Sequence, residues 1–152
     1  MRRVLVAFDG SETSEVALQK ILSFAPKNSK IFVFYVIDED DVRWPSRIDI
    51  SLIWSGNIVE LENNILEIHK KYAERLLEKA RKIAKKKGRA VKLSYDVGYP
   101  PDKIIEFAEK QKCDLIVLGS KARTQLGFML GSVAQKVAVK SKIPVLIVKS
   151  PG

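Results

Sequence analysis

Residues 114–139 read DLIVLGSKARTQLGFMLGSVAQKVAV. The apolar run at 115–118 is typical of a short buried strand, and the residues from Val133 onward are typical of a helix. Gly119 therefore stands where a strand ends, and the Gly-Ser pair at 131–132 stands where the next helix begins. Free backbone N–H groups and the positive end of the helix dipole would point at one place there, which favours an anion. We predict a phosphate site, because small residues let the backbone approach a phosphate closely.

Length and composition predict one globular domain over residues 1–152. The chain is 46% hydrophobic and 30% charged, as ordinary globular domains are. No apolar run approaches the roughly 18 residues that cross a bilayer, and the run after Met1 is too short for a signal peptide. We therefore expect a cytoplasmic protein with no membrane partner. Cys113 is the single cysteine, which predicts a partly buried, inert thiol and no internal disulfide.

The net charge of +9 favours anionic partners but does not locate a site. Much of the excess lies in one basic cluster, which consists of Lys79, Arg81, Lys82, Lys85, Lys86, Lys87 and Arg89. This cluster closes a predicted helix before Gly88, and cations there complement the negative helix end. A nucleic-acid surface is disfavoured, since no aromatic residues interleave with the charges and no reader motif is present.

Apolar strands alternate with amphipathic helices along the chain. Strands are predicted at 4–8, 31–37, 91–97, 115–118 and 144–149, with helices at 11–25, 58–84, 101–108 and 132–141. This alternation predicts an α/β fold with a doubly wound parallel sheet and helices on both faces. The strand at 91–97 alternates apolar and polar residues, so we place it at an edge. Such sheets bind ligands beyond the carboxyl ends of the strands, where the strand order reverses.

Residues 38–57 are predicted to be an irregular loop. They contain an acidic run, Asp38 to Asp41, and the two tryptophans, Trp44 and Trp54. Loops of this length in a compact domain are usually functional or cover another part of the molecule. The single histidine, His69, lies on the edge of a helical apolar stripe, and we interpret it as a structural residue rather than a ligand or a base.

Several motifs in this order resemble the universal stress protein family. They are Val4-Leu5-Val6-Ala7-Phe8-Asp9-Gly10-Ser11, Tyr35-Val36, Gly98-Tyr99-Pro100, the strand and glycine at 114–120, Gly131-Ser132-Val133 and the last strand. The resemblance covers residues 2–149 apart from the 38–57 loop. It implies a Rossmann-like sheet of the adenine nucleotide alpha hydrolase-like type, with five strands in the order 3-2-1-4-5. It also implies a homodimer joined through the last strand, Val145 to Val148.

One branch of that family binds ATP through the pattern Gly-x2-Gly-x9-Gly-Ser/Thr. This chain departs from it twice, because Ala122 stands at the second glycine and only eight residues, 123–130, precede Gly131. If position 122 needed a left-handed backbone, alanine would cost roughly 1–2 kcal/mol, which is about five- to thirtyfold in affinity. Lys121 and Arg123 could offset this loss by reaching a phosphate, or they could be solvated loop cations. Gly127 could also supply the missing flexibility.

The resemblance assigns nucleotide-binding roles residue by residue. Adenine and ribose would be surrounded by Ala7, Phe8, Asp9, Val36, Leu118 and Gly119. The phosphates would meet the backbone N–H groups of Gly131, Ser132, Val133 and Ala134. Asp9 could instead cap the turn at 10–13, and Ser132 could be a plain helix N-cap. A magnesium ion bridging the phosphates is compatible with this site, although no cluster of carboxylates requires one.

These observations favour a cytoplasmic, homodimeric module that binds ATP or AMP and acts as a switch or regulator in a stress response. The alternative is a family member that binds no nucleotide and acts through regulatory protein partners, which Ala122 and the shortened loop support. An enzyme is disfavoured, because the sequence has no Gly-x4-Gly-Lys-Ser/Thr loop, no Ser/His/Asp set and no metal-binding motif. We therefore expect no catalytic residues and no protein-built metal site.

Overall fold

Strands and helices alternate along the chain in the computed structural model, which describes residues 1–43, 54, 56–120, 122–124 and 127–149. The elements in chain order are β1 (Arg3–Ala7), α1 (Glu12–Phe24), β2 (Lys30–Asp38), α2 (Glu39–Arg43), α3 (Ile58–Lys86), β3 (Lys92–Gly98), α4 (Pro100–Lys110), β4 (Leu115–Gly119), β5 (Ala122–Thr124), β6 (Gly127–Met129), α5 (Ser132–Lys140) and β7 (Val145–Val148). No helix within these ranges is long and apolar enough to cross a membrane.

The main sheet has five parallel strands in the order β3-β2-β1-β4-β7. Counted along the chain, its strands therefore lie in the order 3-2-1-4-5, and the predicted fold is confirmed. β1 is central, and its Val6 pairs with Val33 of β2 on one side and Val117 of β4 on the other. β3 lies at an edge, as its alternating pattern predicted.

Each face of the sheet carries its own apolar layer, because successive residues of a strand point to opposite sides. Val4 and Val6 of β1 pack into the layer shared with α1 and α3, and both are fully buried. Leu5 packs on the other face, in the layer shared with α4 and α5. There the ring of Phe107 from α4 stacks on Phe34 of β2, with ring centroids 4.2 Å apart. The predicted helices on both faces are therefore confirmed.

Two helix ends show what fixes the turns between elements. The N-terminus of α1 is capped by Ser11, because the Ser14 N–H donates to Ser11 Oγ at 3.3 Å. At the other end of α1, the guanidinium of Arg89 donates to the carbonyl oxygens of Leu22, Ala25 and Pro26 at 2.9–3.1 Å. Arg89, the most C-terminal cation of the basic cluster, therefore makes hydrogen bonds within the fold. Its guanidinium is less available to nucleic acid, which further disfavours the cluster as a nucleic-acid surface.

The structure corrects three predicted boundaries. The 38–57 stretch is not wholly irregular, because β2 continues to Asp38 and α2 follows it; Asp38 Oδ1 accepts from the Asp40 N–H at 3.0 Å and starts that helix. Trp44 and the rest of 44–53, with residue 55, lie outside the described residues. The stretch after Gly119 contains the antiparallel pair β5–β6, where a loop was predicted. The last strand is shorter than predicted, at Val145–Val148.

Candidate functional site

A cleft of about 360 Å³ opens beyond the carboxyl ends of β1, β2 and β4. This is where the strand order reverses, since β1 leads to β2 on one side and β4 lies on its other side. The helices that leave those ends diverge to opposite faces and leave a crevice between them, which is the usual ligand position in such sheets. The predicted location of the site therefore coincides with a cleft in the structure.

Most of the residues singled out from the sequence line this one cleft. They are Ala7, Phe8, Asp9, Val36, Leu118, Gly119, Gly131, Ser132, Val133 and Ala134. Lys121 lies outside the described residues, and so do the side chains of Ala122 and Arg123. The structure thus brings the turns after β1 and β4 together, as the sequence argument required.

The cleft also has lining residues that the sequence argument missed. They are Ser11, Thr13, Ser14, Phe34, Tyr35, Asp38, Asp41, Tyr72, Pro100 and Ile104. The hydroxyl residues belong to the turn after β1, so the choice of Asp9 could have drawn attention to them. Tyr72 comes from the middle of α3 and packs edge-on against Tyr35, with ring centroids 6.2 Å apart. Nothing in the helical pattern of α3 distinguishes Tyr72 from a core residue.

The N-terminus of α5 faces the cleft and has no side-chain cap. Its N-cap residue is Gly131, and Ser132 is the first helical residue, so the prediction of Ser132 as the N-cap is wrong. Glycine at the N-cap provides no oxygen for the amide groups of the first turn, whereas Ser11 does so for α1. Gly131 and the first three residues of α5 therefore present backbone donors and the positive helix end to the cleft.

Gly119 has a packing reason for being glycine. A Cβ built there would lie 2.6 Å from the carbonyl carbon and oxygen of Thr13 and 2.8 Å from the Ser14 nitrogen. The end of β4 thus runs directly against the first turn of α1, and no side chain fits between them. This close approach brings the two polar turns of the cleft next to each other.

Ala122 does not incur the backbone strain considered above. It lies in β5, where it pairs with Met129 of β6 in an antiparallel ladder. Among the residues that the structure describes, Lys112 is the one non-glycine residue with positive φ, at 54°. Alanine is compatible with an extended backbone, so the predicted penalty at this position is absent in this conformation.

The described cleft lining includes three carboxylates and contains no lysine or arginine. Its carboxylates are Asp9, Asp38 and Asp41. Asp9 Oδ1 accepts from the Ser11 N–H at 2.9 Å, so Asp9 does cap the turn that follows β1, as the alternative reading proposed. Over the described ranges, no group of three or more His, Cys, Asp or Glu could hold a metal ion.

The single cysteine and the single histidine of the chain lie outside the cleft. Cys113 is buried at the end of α4, and burial raises the pKa of its thiol to about 11, which keeps it protonated and unreactive at neutral pH. His69 is partly buried on α3, as its edge position predicted, and its Nε2 atom has no hydrogen-bond partner in the part of the chain described. Neither residue lines the cleft.

Comparison with known proteins shows the family to which this chain is similar. The family model for the universal stress protein family matches residues 1–149. The universal stress protein MJ0577 of Methanocaldococcus jannaschii is 32% identical over 97% of this chain and 94% of its own length. The universal stress protein YxiE of Bacillus subtilis is 34% identical over 97% of this chain and 98% of its own length.

Solved structures show the same relationship. The structure of MJ0577 superposes with a TM-score of 0.80 at 31% identity, over 99% of this chain and 97% of that one. A universal stress protein in complex with cAMP superposes with a TM-score of 0.64 at 27% identity, over 97% and 95% of the two chains. On its sequence and its fold, the chain belongs to the universal stress protein family.

Proposed function

We propose that the cleft binds an adenine nucleotide, ATP or AMP, and that the protein acts as a cytoplasmic regulatory module in a stress response rather than as an enzyme. The observation that carries this proposal is the uncapped N-terminus of α5 opening into a cleft that apolar side chains also line. Ala7, Val36 and Leu118 provide a surface for a base, and the first turn of α5 provides donors for phosphate. The complex of a relative with cAMP supports an adenine ligand in this fold.

The charge distribution supports one orientation of the ligand. The carboxylates of Asp9, Asp38 and Asp41 accept hydrogen bonds and repel phosphate, so they suit ribose hydroxyls or an amino group of the base. The phosphates then lie at the opposite end of the cleft, against Gly131 to Ala134. Magnesium would arrive with the phosphates, since the described residues build no site of their own for it.

Calorimetric titration of the wild type tests this proposal. We expect ATP with magnesium, or AMP, to bind at about one per chain and to raise the melting temperature. Guanosine triphosphate and pyrophosphate, which lack the adenine base, are expected to bind at least about tenfold more weakly. Absence of both binding heat and thermal shift with every adenine nucleotide would contradict the proposal.

Two tryptophan variants on the same helix provide a matched control. Val133 lines the cleft in the first turn of α5, whereas Val139 is 85% exposed at the far end of that helix. Val133→Trp fills the cleft and should abolish binding, and Val139→Trp should leave it unchanged. Equal affinities of the two variants would place the ligand elsewhere.

The acidic lining favours one alternative function, in which the protein binds no nucleotide and acts through protein partners. Three carboxylates with no lysine or arginine among the described lining residues disfavour a highly charged anion. Chromatography of small molecules released by acid from freshly purified protein distinguishes the two functions. Bound adenine nucleotide near one per chain supports the first, and its absence together with failed titration supports the second.

A further inference from the structure

A lysine and a tyrosine join α4 to α5 beside the cleft. The Lys136 ammonium donates a hydrogen bond to the Tyr99 hydroxyl and lies 5.1 Å from the centroid of the Tyr99 ring. Lys140, one turn further along α5, lies 5.9 Å from the same ring and pairs with Asp102 of α4 at 3.5 Å. Lys136 itself is exposed, so its charge is accessible to a ligand.

The chain positions of Tyr99 and Lys136 place their pair at the rim of the cleft. Tyr99 is the N-cap residue of α4, and Pro100, which follows it, lines the cleft. Lys136 lies one turn after Ser132, which also lines the cleft. Side chains of a helix lean toward its N-terminus, so the stem of Lys136 runs back toward the first turn of α5.

The proposed ligand needs a cation at this rim. The described lining residues include Asp9, Asp38 and Asp41 but no lysine or arginine. The amide groups of one helix turn can hold a single phosphate, and each further phosphate adds negative charge that those amides do not neutralise. Lys136 is a cation that lies one helical turn after Ser132 and that a hydrogen bond holds at the Tyr99 hydroxyl.

We propose that Lys136, positioned by the Tyr99 hydroxyl, binds the terminal phosphates of a nucleoside di- or triphosphate and makes the cleft favour ATP over AMP. This inference rests on the proposed nucleotide site. An ammonium group has three donors, so the bond to Tyr99 leaves two for phosphate oxygens. That bond also raises the pKa of the Lys136 ammonium, a group that is already charged at neutral pH at its ordinary pKa.

The test is a titration of ATP and AMP into wild type, Lys136→Gln, Tyr99→Phe and Lys140→Gln at about 0.15 M salt. We expect Lys136→Gln to weaken ATP binding about tenfold, the usual effect of losing a charge-assisted hydrogen bond, and to leave AMP within about twofold. Tyr99→Phe, which frees the lysine without removing its charge, should produce a smaller loss for ATP alone. Lys140→Gln makes the same change of charge on the same helix and should alter neither affinity.

Three outcomes would overturn the role of Lys136. They are equal losses for ATP and AMP in Lys136→Gln, no loss for ATP in that variant, and a loss in Lys140→Gln as large as in Lys136→Gln. Equal affinity of the wild type for ATP and AMP would also overturn the preference. Failure of the wild type to bind any adenine nucleotide is a separate result, because it contradicts the nucleotide site itself.

Discussion

The backbone of Gly119 lies against the first turn of α1, where an added Cβ would approach the Thr13 carbonyl to 2.6 Å. In the sequence analysis, the small residue at this position was explained by the close approach of the backbone to a phosphate. The structure adds a second reason, because no side chain fits between β4 and α1. More than a hundred residues separate Gly119 from Thr13 along the chain. Local pattern could not reveal this contact, because it depends on how β4 and α1 meet in the fold.

Substituting this glycine should destabilise the protein. Gly119→Ala forces a methyl group against backbone atoms that cannot move aside, so we expect a loss of about 1–3 kcal/mol in the free energy of unfolding. Urea denaturation followed by circular dichroism measures the change. Gly88→Asn is the control, because Gly88 has φ of 66° with no atom within 4 Å of an added Cβ, and asparagine tolerates that conformation. An unchanged midpoint in Gly119→Ala would show that β4 and α1 can separate at little cost.

Some helices and strands could be predicted from the sequence, and others could not. Long helices have clear hydrophobic periodicity and buried parallel strands are continuous apolar runs, so α3 and the five strands of the main sheet could be recognised from the sequence. The pair β5–β6 could not, because strands of three residues are too short to show a period. The same limit applies to α2, a five-residue helix inside an acidic run that favoured a loop. Of these short elements, α2 contributes Asp41 to the lining of the cleft, so a part of the fold that was hard to predict belongs to the candidate site.

Arg89 makes several of the hydrogen bonds that connect the loop after α3 to α1. Arg89 donates to three carbonyl oxygens at and after the C-terminal end of α1. Arg89→Met keeps the aliphatic stem but removes these hydrogen bonds, and we expect a loss of about 1–3 kcal/mol in the free energy of unfolding, measured by urea denaturation. Lys86→Met removes an exposed cation of the same cluster and should change the stability by less than about 0.5 kcal/mol. Equal effects in the two variants would mean that net charge, not capping, governs this region.

At the scale of the whole molecule, the two outer strands of the main sheet are β3 and β7. The class of fold could be argued from alternation alone, whereas the strand order came from the family resemblance. Alternation does not say which strands are neighbours, since the crossover helices allow several orders. The sheet order was confirmed by the structure, and the homodimer stays a prediction.

The expected dimer can be tested at β7, which pairs only with β4 among the described strands and is therefore an edge of the described sheet. Leu146 is 38% exposed on this strand, so Leu146→Lys would place a charge in an interface formed by β7. We expect sedimentation equilibrium to show a wild-type dimer and a folded monomer for Leu146→Lys. Phe24→Lys introduces the same charge at a 67% exposed position on α1 and should remain dimeric. A monomeric wild type, or a Leu146→Lys variant that stays dimeric, would contradict this interface.

The central position of β1 also sets the order in which the sheet can assemble during synthesis. β1 pairs with β2 as soon as residues 30–34 are available, but its other edge pairs with residues 115–117. The half-sheet β3-β2-β1 can therefore form while the apolar edge of β1 still lacks its neighbour. β1 is synthesised first, but it gains its second neighbouring strand only after residues 115–117 have been synthesised. Until then the nascent chain exposes an unpaired strand edge.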